Sequence, residues 1–455
     1  MLPITIVGGG ITGLAAAYEL SKRQVPFVLL EAGPRAGGLI HTEHIDGFTI
    51  EAGPDSVLAQ KPAALDLCQE LGLGAQLIAT TPPRTAYVLK EGRLHALPSP
   101  SVLGIPTTWR GLRDYDLLSV TARVRLALEP LVPRADLPDE SVGAFFRRRF
   151  GRAAAELIAD PLLGGIHAGD IDRLSIRSLF PRFVDAEERR GSVLASFLGR
   201  GQPSAEGAFR SIRSGMGALV AAIERRLPAG SVRVDAPVAS LARSGDEWRV
   251  VTPGHVVRSA AVIVAVPAHA AAPLLASIDD GAARLCAEVP YVSTVSVALA
   301  WPREAIAHPL PGSGFVVVRR RNAVRITACS WVSSKWEGRA PAGMALIRAF
   351  MGGAHDPGAI DLPDVDLVTI AARDAGGILG IVAAPSLARV HRWRDAGAQH
   401  HVGQLDRVDA IERRLAGCPG LLVAGSGFRS VGIPDCIADG RAAAAAAAEC
   451  ARMNG

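Results

Sequence analysis

Three glycines near the start of the chain, Gly8, Gly10 and Gly13, have the spacing of a phosphate-binding turn, Gly-x-Gly-x-x-Gly. Such a turn does its chemistry with backbone. Gly8 allows the sharp bend, Gly10 lets N–H groups come close to a pyrophosphate, and Gly13 lets the next helix pack on the preceding strand. Gly9, Ile11 and Thr12 complete the same cradle. The array has this meaning only between two elements: Ile4-Thr-Ile-Val7 reads as a strand leading in, and Leu14-Ala-Ala-Ala-Tyr-Glu-Leu20 as a helix leading out. Phosphates then rest on the positive end of the helix dipole. A second strand, Phe27-Val-Leu-Leu-Glu31, ends in a carboxylate roughly 20 residues on, placed to accept a hydrogen bond from a ribose hydroxyl. Ala32 follows it directly. Together these residues specify a dinucleotide site.

The elements that must hold this site run the length of the chain. Ala32-Gly-Pro-Arg-Ala-Gly-Gly-Leu39 offers a second close backbone approach at Gly37 and Gly38, and Thr49-Ile-Glu-Ala-Gly-Pro-Asp-Ser56 passes from an alternating strand into a turn. A helix is expected from about Lys61 to Leu71, closed by Gly72. Between Pro98 and about Arg210 the periodicity is helical, with arginines at 123, 125, 147, 148, 149 and 152. Such arginines ordinarily form a solvated face; a face toward anionic lipid is the functional alternative. Strands return at Ser231–Leu241, Glu247–Val251 and Val262–Val266, where the dinucleotide domain resumes. A strand-rich block from Val292 to about Val390 includes Val295–Ala300, Gly314–Val318 and Ala345–Met351, and is expected to form a separate sheet for substrate. Finally Gly420-Leu-Leu-Val-Ala-Gly-Ser-Gly427 reads as a buried strand entering a glycine loop, and Pro434–Ala448 as a strong helix whose N-terminus again faces the cofactor. The fold class is α/β, a Rossmann-type domain with a mixed-sheet substrate domain and a helical insertion.

Composition narrows the function. With 455 residues the chain is expected to form two or three domains, and 49% apolar content supplies a large core. A formal net charge of +5, with arginines interspersed among acids, does not indicate nucleic-acid binding; it suits an anionic small molecule or an anionic lipid surface. The cysteines at 68, 286, 329, 418, 436 and 450 form no C-x-x-C pair, so neither a zinc site nor a disulfide framework is expected, and the compartment reads as reducing. His41 with His44, and His400 with His401, lack companion ligands and read as surface or packing residues. The chain enters its first strand directly after Met-Leu-Pro, which leaves no room for an export signal, and the apolar stretch Ala260–Ile278 is broken by Pro267, His269 and Pro273. A cytoplasmic protein, peripheral on the inner membrane face at most, is expected.

Only one glycine array follows a strand, which implies one tightly held dinucleotide and no separate nicotinamide site. That favours a flavin oxidase. The two glycine-loop helices would place positive dipole ends at the pyrophosphate and at the N1–C2=O edge, where a flavin gathers negative charge on reduction.

The chain resembles the protoporphyrinogen and coproporphyrinogen oxidases within the flavin amine-oxidase superfamily. The likeness covers essentially the whole chain and rests on Gly8–Leu14, Glu51-Ala-Gly-Pro-Asp-Ser56, Gly104-Ile-Pro-Thr107, Gly165-Ile-His-Ala-Gly-Asp170, Trp393 and Val431-Gly-Ile-Pro-Asp-Cys-Ile437. The resemblance implies that FAD is lined by Gly8–Gly13, Glu31, Ala32, Gly38, Gly53, Pro54, Asp55 and Ser56, with Val238 on the adenine and Trp393, Val431, Gly432 and Ile433 along the isoalloxazine. It implies an FAD domain in three pieces (1–84, 211–270 and 389–455), a substrate domain in two (85–97 and 271–388), and a helical insertion (98–210) that rests on one membrane leaflet. The implied reaction is the six-electron oxidation of a porphyrinogen, with O2 as acceptor, peroxide formed, and handover to another haem-pathway enzyme.

Positioning carries much of such a reaction, and no catalytic side chain is assigned. His167 reads as structural; Gly165 and Ala168 are candidates for close contact with the macrocycle, and Phe315 either stacks on a pyrrole or belongs to the core. Where protoporphyrinogen-type relatives place a propionate-pairing arginine, this chain has Ala86, with Arg84 two residues earlier. That departure, with Gly104–Thr107 and Gly312–Phe315, resembles the coproporphyrinogen branch, whose tetra-anionic substrate makes Arg84, Lys90 and Arg93 candidate contacts. Protoporphyrinogen IX is the alternative substrate; an amine oxidase, a carotenoid desaturase and a non-catalytic flavin scaffold at a membrane are the further alternatives.

Overall fold

Residues buried on both faces of a parallel sheet read as unbroken apolar runs, and Ile4–Val7 at the centre of this fold is such a run, with all four residues buried. The computed structural model describes residues 2–199, 207–319 and 322–453. Five parallel strands form the first sheet, in the order Val232–Arg233, Phe27–Leu30, Ile4–Val7, Ala261–Val264, Leu421–Val423, with Ile4 opposite both Phe27 and Ala261. Helices Ile11–Lys22 and Ile433–Met453 pack tightly together on it. The alanines of the terminal helix have a packing reason. Ala443, Ala444, Ala447 and Ala448 are buried, and a Cβ on Gly440 would lie 2.2 Å from the Thr12 carbonyl oxygen, so only small residues allow this approach.

The strand expected over Ser231–Leu241 is broken in two. Val232–Arg233 is the edge of the parallel sheet, and Ser240–Ser244 begins a separate antiparallel sheet with Glu247–Thr252 and His255–Ser259. Between them Asp235 is left-handed (φ 50°) and Pro237 lacks an N–H, so no continuous ladder can form.

The second large sheet has seven strands, in the order Leu387–Ala398, Tyr291–Pro302, Met344–Gly352, Ala328–Ser330, Gly314–Val317, Ala86–Lys90, Arg93–Ala96. Its strands are longer than the sequence indicates, and the last reaches Ala398, which carries Trp393 onto the sheet. Tyr291–Pro302 shows why it has two dry faces. Val295, Val297, Leu299 and Trp301 join the core under helix Asp364–Leu379, while Ala298 and Ala300 pack with Phe48, Ile50 and Trp336.

The helical unit has its own core, in which Phe145, Phe146, Phe150 and Phe183 pack as tilted and edge-on rings with centroids 5.1–6.5 Å apart. Residues 200–206 of the expected insertion lie outside the described residues. Among the described residues, no helix is long and apolar enough to cross a membrane.

The arginine-rich face expected here divides. Arg152 is 82% exposed in an i,i+4 pair with Glu156, as a solvated face requires. Arg149 is fully buried: Nε donates to Glu129 at 2.7 Å, Nη1 to Glu187 at 3.2 Å and Nη2 to the Gly191 carbonyl at 2.8 Å. Glu129, also fully buried, further accepts the Ser192 hydroxyl and the N–H groups of Val193 and Leu194. Arg125 donates to the carbonyls of Arg148 and Arg149 at the end of helix Val142–Phe150. Removing one partner of a buried pair strands the other charge, so Arg149→Met is expected to cost about 3–5 kcal/mol of stability. Arg152→Ala is expected to cost less than about 0.5 kcal/mol. Urea unfolding of the two variants beside the native chain checks the difference.

Candidate functional site

Each glycine of the first turn meets a different constraint. Gly8 has φ 105°, and a Cβ there would lie 2.7 Å from the Ala265 carbonyl oxygen; at Gly13 a Cβ would lie 2.0 Å from the Gly8 carbonyl oxygen. Gly10 differs: nothing lies within 4 Å of the position its Cβ would take. Packing does not require a glycine there. Gly10 also begins helix Ile11–Lys22 without any side-chain cap, so the first N–H groups of that helix are available to an anion. Across from it Gly38, at φ 55°, brings its own Cα side within 3.1 Å of the Gly10 Cα, measured from a built Cβ. Glu31 accepts the Gly9 N–H at 2.6 Å and the Gly33 N–H at 2.7 Å, each oxygen keeping a second lone pair. Backbone bonds Glu31 N–H to Arg233 and Ala236 N–H to Glu31 carry the chain to Val238, which packs beneath the same sheet. These residues fit a dinucleotide.

The segment 51–56 is held from the seven-stranded sheet. Arg348 donates through Nη1 to the carbonyls of Glu51 (2.6 Å) and Gly53 (2.8 Å). Trp393 Nε1 (2.9 Å) and Ser296 Oγ (3.1 Å) both donate to the Ala52 carbonyl. A Cβ on Gly53 would lie 2.0 Å from the Leu39 carbonyl oxygen and 3.6 Å from the Trp393 ring, so the loop passes through a slot. The Asp55 carboxylate accepts from Lys335 Nζ (2.9 Å), Trp336 Nε1 (3.3 Å) and Ser56 Oγ (2.7 Å). Burial alone would raise this carboxyl, but Lys335 and Arg348 overcome it and hold Asp55 well below the usual carboxylate range.

The C-terminal glycine loop is pinned from its own helix. Asp439 accepts the Gly425 N–H (2.7 Å) and the Ser430 hydroxyl (2.9 Å), and burial raises its carboxyl against those two bonds. Val431 packs on the core of the helical unit and Ile433 on that of the parallel sheet, so Gly432 sits at the seam. Lys61 pairs with Asp435 at 2.6 Å. His400 proves to be a bridge rather than a surface residue: Nε2 donates to the Ser426 carbonyl at 2.8 Å, which leaves Nδ1 to accept from the Ser178 hydroxyl at 2.8 Å. His167 stands edge-on to Phe180, and burial, with His400 and Lys61 adding to it, lowers its imidazole to about 4.

A cleft of about 1190 Å³ is walled by Ala59, Gln60, the Pro98–Val102 turn, Phe197, Phe209 and Lys335. Of the substrate candidates, Arg84 lines it, as does Ala86; Arg84 Nε is held by the Thr80 carbonyl at 2.9 Å. The others are corrected. Lys90 reaches the Leu117 carbonyl and Arg93 pairs with Asp116, both at the far end of their hairpin. Phe315 is 3% exposed and packs edge-on to Trp331 inside the sheet–helix core, because strand alternation turns it away from the cleft. Gly165 and Ala168 do not line the cleft either: the Ala168 carbonyl accepts the Ala354 N–H, and its left-handed backbone (φ 48°) fits against Gly353.

Most of the cleft charges that sequence reading missed come from one helix, Pro181–Arg190, with Arg210 and Lys335 from elsewhere. Phe183 and Glu187 face inward while Arg182, Asp185, Arg189 and Arg190 line the cleft. Their three- and four-residue spacing is a readable face, but nothing local says what it faces.

Residues 11–448 match the family model described as flavin containing amine oxidoreductase. Coproporphyrinogen III oxidase of Bacillus subtilis is 36% identical, over 97% of this chain and 96% of that protein. Protoporphyrinogen oxidase 1, chloroplastic, of Spinacia oleracea is 31% identical over 96% of this chain and 82% of that protein. A crystal structure from Exiguobacterium sp. 255-15 superposes with TM-score 0.87 at 32% identity, covering 98% of each chain, and putrescine oxidase shares the fold at TM-score 0.71 and 16% identity, covering 98% of each. The chain belongs to the flavin-containing amine oxidoreductases, in the group that holds the coproporphyrinogen III and protoporphyrinogen oxidases.

Proposed function

We propose that this chain binds FAD and oxidises coproporphyrinogen III to coproporphyrin III, with O2 taking the electrons and H2O2 formed. The observation that carries the substrate choice is the charge of the cleft. Among the described residues, Arg84, Arg182, Arg189 and Arg190 line it with Asp185 as the lining carboxylate, while Lys335, also in the wall, is neutralised by Asp55. Four propionates suit that excess better than two. A cationic amine would be repelled by it. The volume also exceeds the ~300–1,000 Å³ of most small-molecule pockets, as a macrocycle with four arms requires.

The oxidation removes six hydrogens, four from meso carbons and two from pyrrole nitrogens, as three hydrides and three protons. Bound FAD supplies the hydride acceptor. The residues of the chain bind and orient. The Gly8–Gly13 turn would hold the pyrophosphate, Glu31 the ribose, and the slot between Leu39 and Trp393 would fix the Gly53–Ser56 loop at the cofactor. Arginines on helix Pro181–Arg190 would grip the propionates and leave the ring to be placed by the apolar wall. The reading includes peripheral contact with an anionic membrane surface, supported by exposed Val120, Val124 and Leu131 near Arg110 and Arg113, the latter two held by Asp114.

Side-by-side assays of porphyrin fluorescence and peroxide are expected to give a kcat/KM for coproporphyrinogen III at least about tenfold above that for protoporphyrinogen IX. The reverse order would favour protoporphyrinogen IX, and no turnover of either would overturn the reading. The double variant Arg189→Glu/Arg190→Glu is expected to raise KM for coproporphyrinogen about tenfold with FAD content unchanged, and added salt to raise the native KM in the same direction.

The glycine turn gives a separate test of the cofactor. Gly10→Ala, with room for its methyl group in the protein, is expected to fold normally yet weaken FAD binding at least about tenfold. Gly13→Ala must push helix from strand and is expected to lower the thermal midpoint itself. Flavin absorbance and thermal unfolding of both variants distinguish the two effects.

A further inference from the structure

Behind the 51–56 loop lies a small cavity of about 10 Å³, room for one monatomic ion or one water. Glu51, Asp55, Arg339 and Arg348 line it with apolar walls that include Val332 and Leu346, and all of these but Asp55 are buried. The polar groups around it do not balance. Arg339, 1% exposed, spends Nη2 on the Ser211 hydroxyl (2.7 Å) and the Ile212 carbonyl (3.0 Å), while Nε and Nη1 have no hydrogen-bond partner; Nη1 lies 3.3 Å from Glu51 in poor alignment. Arg348, 6% exposed, spends Nη1 on two carbonyls, and its Nε has no partner.

The carboxylates are already engaged. Glu51 accepts the Thr42 hydroxyl (2.7 Å) and the Met216 N–H (2.8 Å), and Asp55 accepts Lys335, Trp336 and Ser56. What remains unmet is donors, Nε and Nη1 of Arg339 and Nε of Arg348, although the carboxylates keep lone pairs of their own. The charges leave a remainder as well, because Lys335, Arg339 and Arg348 face two carboxylates. Burial raises the Glu51 carboxyl against its hydrogen bonds, which moves the balance further toward positive.

We propose that this cavity binds one monovalent anion of halide size, chloride, between Arg339 and Arg348. Chloride accepts without donating, so it satisfies the unpartnered N–H groups, and its charge cancels the excess. Water would supply an acceptor but no charge and would bring donors of its own; a polyatomic oxyanion exceeds the space. Its place gives it a role. Arg348 holds the carbonyls of Glu51 and Gly53, so the anion braces the loop from behind, whatever substrate the cleft takes.

Crystals of the flavin-loaded protein grown in bromide test this through anomalous scattering. The expected result is a peak within contact of Arg339 and Arg348; water-like density without anomalous signal would overturn the proposal. In solution the thermal midpoint is expected to be about 2–4 °C higher in chloride than in gluconate at equal ionic strength. Arg339→Gln is expected to abolish that difference, and equal midpoints for the native protein in the two salts would also overturn the proposal. Should Arg339→Gln fail to fold, the bromide map of the native chain decides.

Discussion

The guanidinium of Arg348 ties the seven-stranded sheet to the segment that begins at Glu51. It reaches 297 positions back along the chain to the Glu51 carbonyl, and its second bond goes to Gly53. These carbonyls belong to a strand that is ending: Thr42 pairs with Glu51, and beyond it no ladder continues. A backbone leaving a sheet inside the protein needs acceptors satisfied, and a planar guanidinium on a strand does this without relaxing its own position. Trp393 and Ser296 repeat the arrangement on Ala52 from neighbouring strands. The conformation of the 51–56 loop is therefore set by the seven-stranded sheet rather than by its own sequence.

This explains which parts of the site were legible in sequence. Gly8 and Gly13 could be read because their reasons are local, a turn and a helix crossing its own strand within six residues. The terminal helix could be read from its alanines, although their purpose, contact with helix Ile11–Lys22 through Gly440, could not. Lys335, Arg339 and Arg348 carry no local pattern; each acts on a segment that reaches it only through the fold. Phe315 shows how narrow the margin is on a strand. Ser313, just before the strand, lines the cleft, yet Phe315 on the strand itself packs into the core. Trp393 was legible only through family resemblance, since a tryptophan on a long strand has no distinctive spacing.

Arginine, abundant in this chain, has two fates that composition cannot separate. Arg149 is taken wholly out of water, which is tolerable because Glu129, Glu187 and backbone carbonyls supply acceptors on several sides. Arg182, Arg189 and Arg190, on helix Pro181–Arg190 of the same unit, stay wet at the cleft. The difference lies in which carboxylates the fold delivers. Glu187, one turn from Arg190 on the same helix, is committed inward to Arg148 and Arg149, so it cannot neutralise the outer face. The buried cluster thereby leaves the cleft positive.

The same economy governs the carboxylates near the cofactor-facing loops. Asp55 is tied to Lys335, Asp435 to Lys61, Asp439 to the Gly425 N–H and Ser430, and Glu51 to Thr42 and Met216. An unpaired carboxylate here would repel both a pyrophosphate and a substrate bearing carboxylates, and would disfavour the added negative charge of a reduced flavin. Tying each one to a donor removes that opposition while keeping its structural use as an anchor.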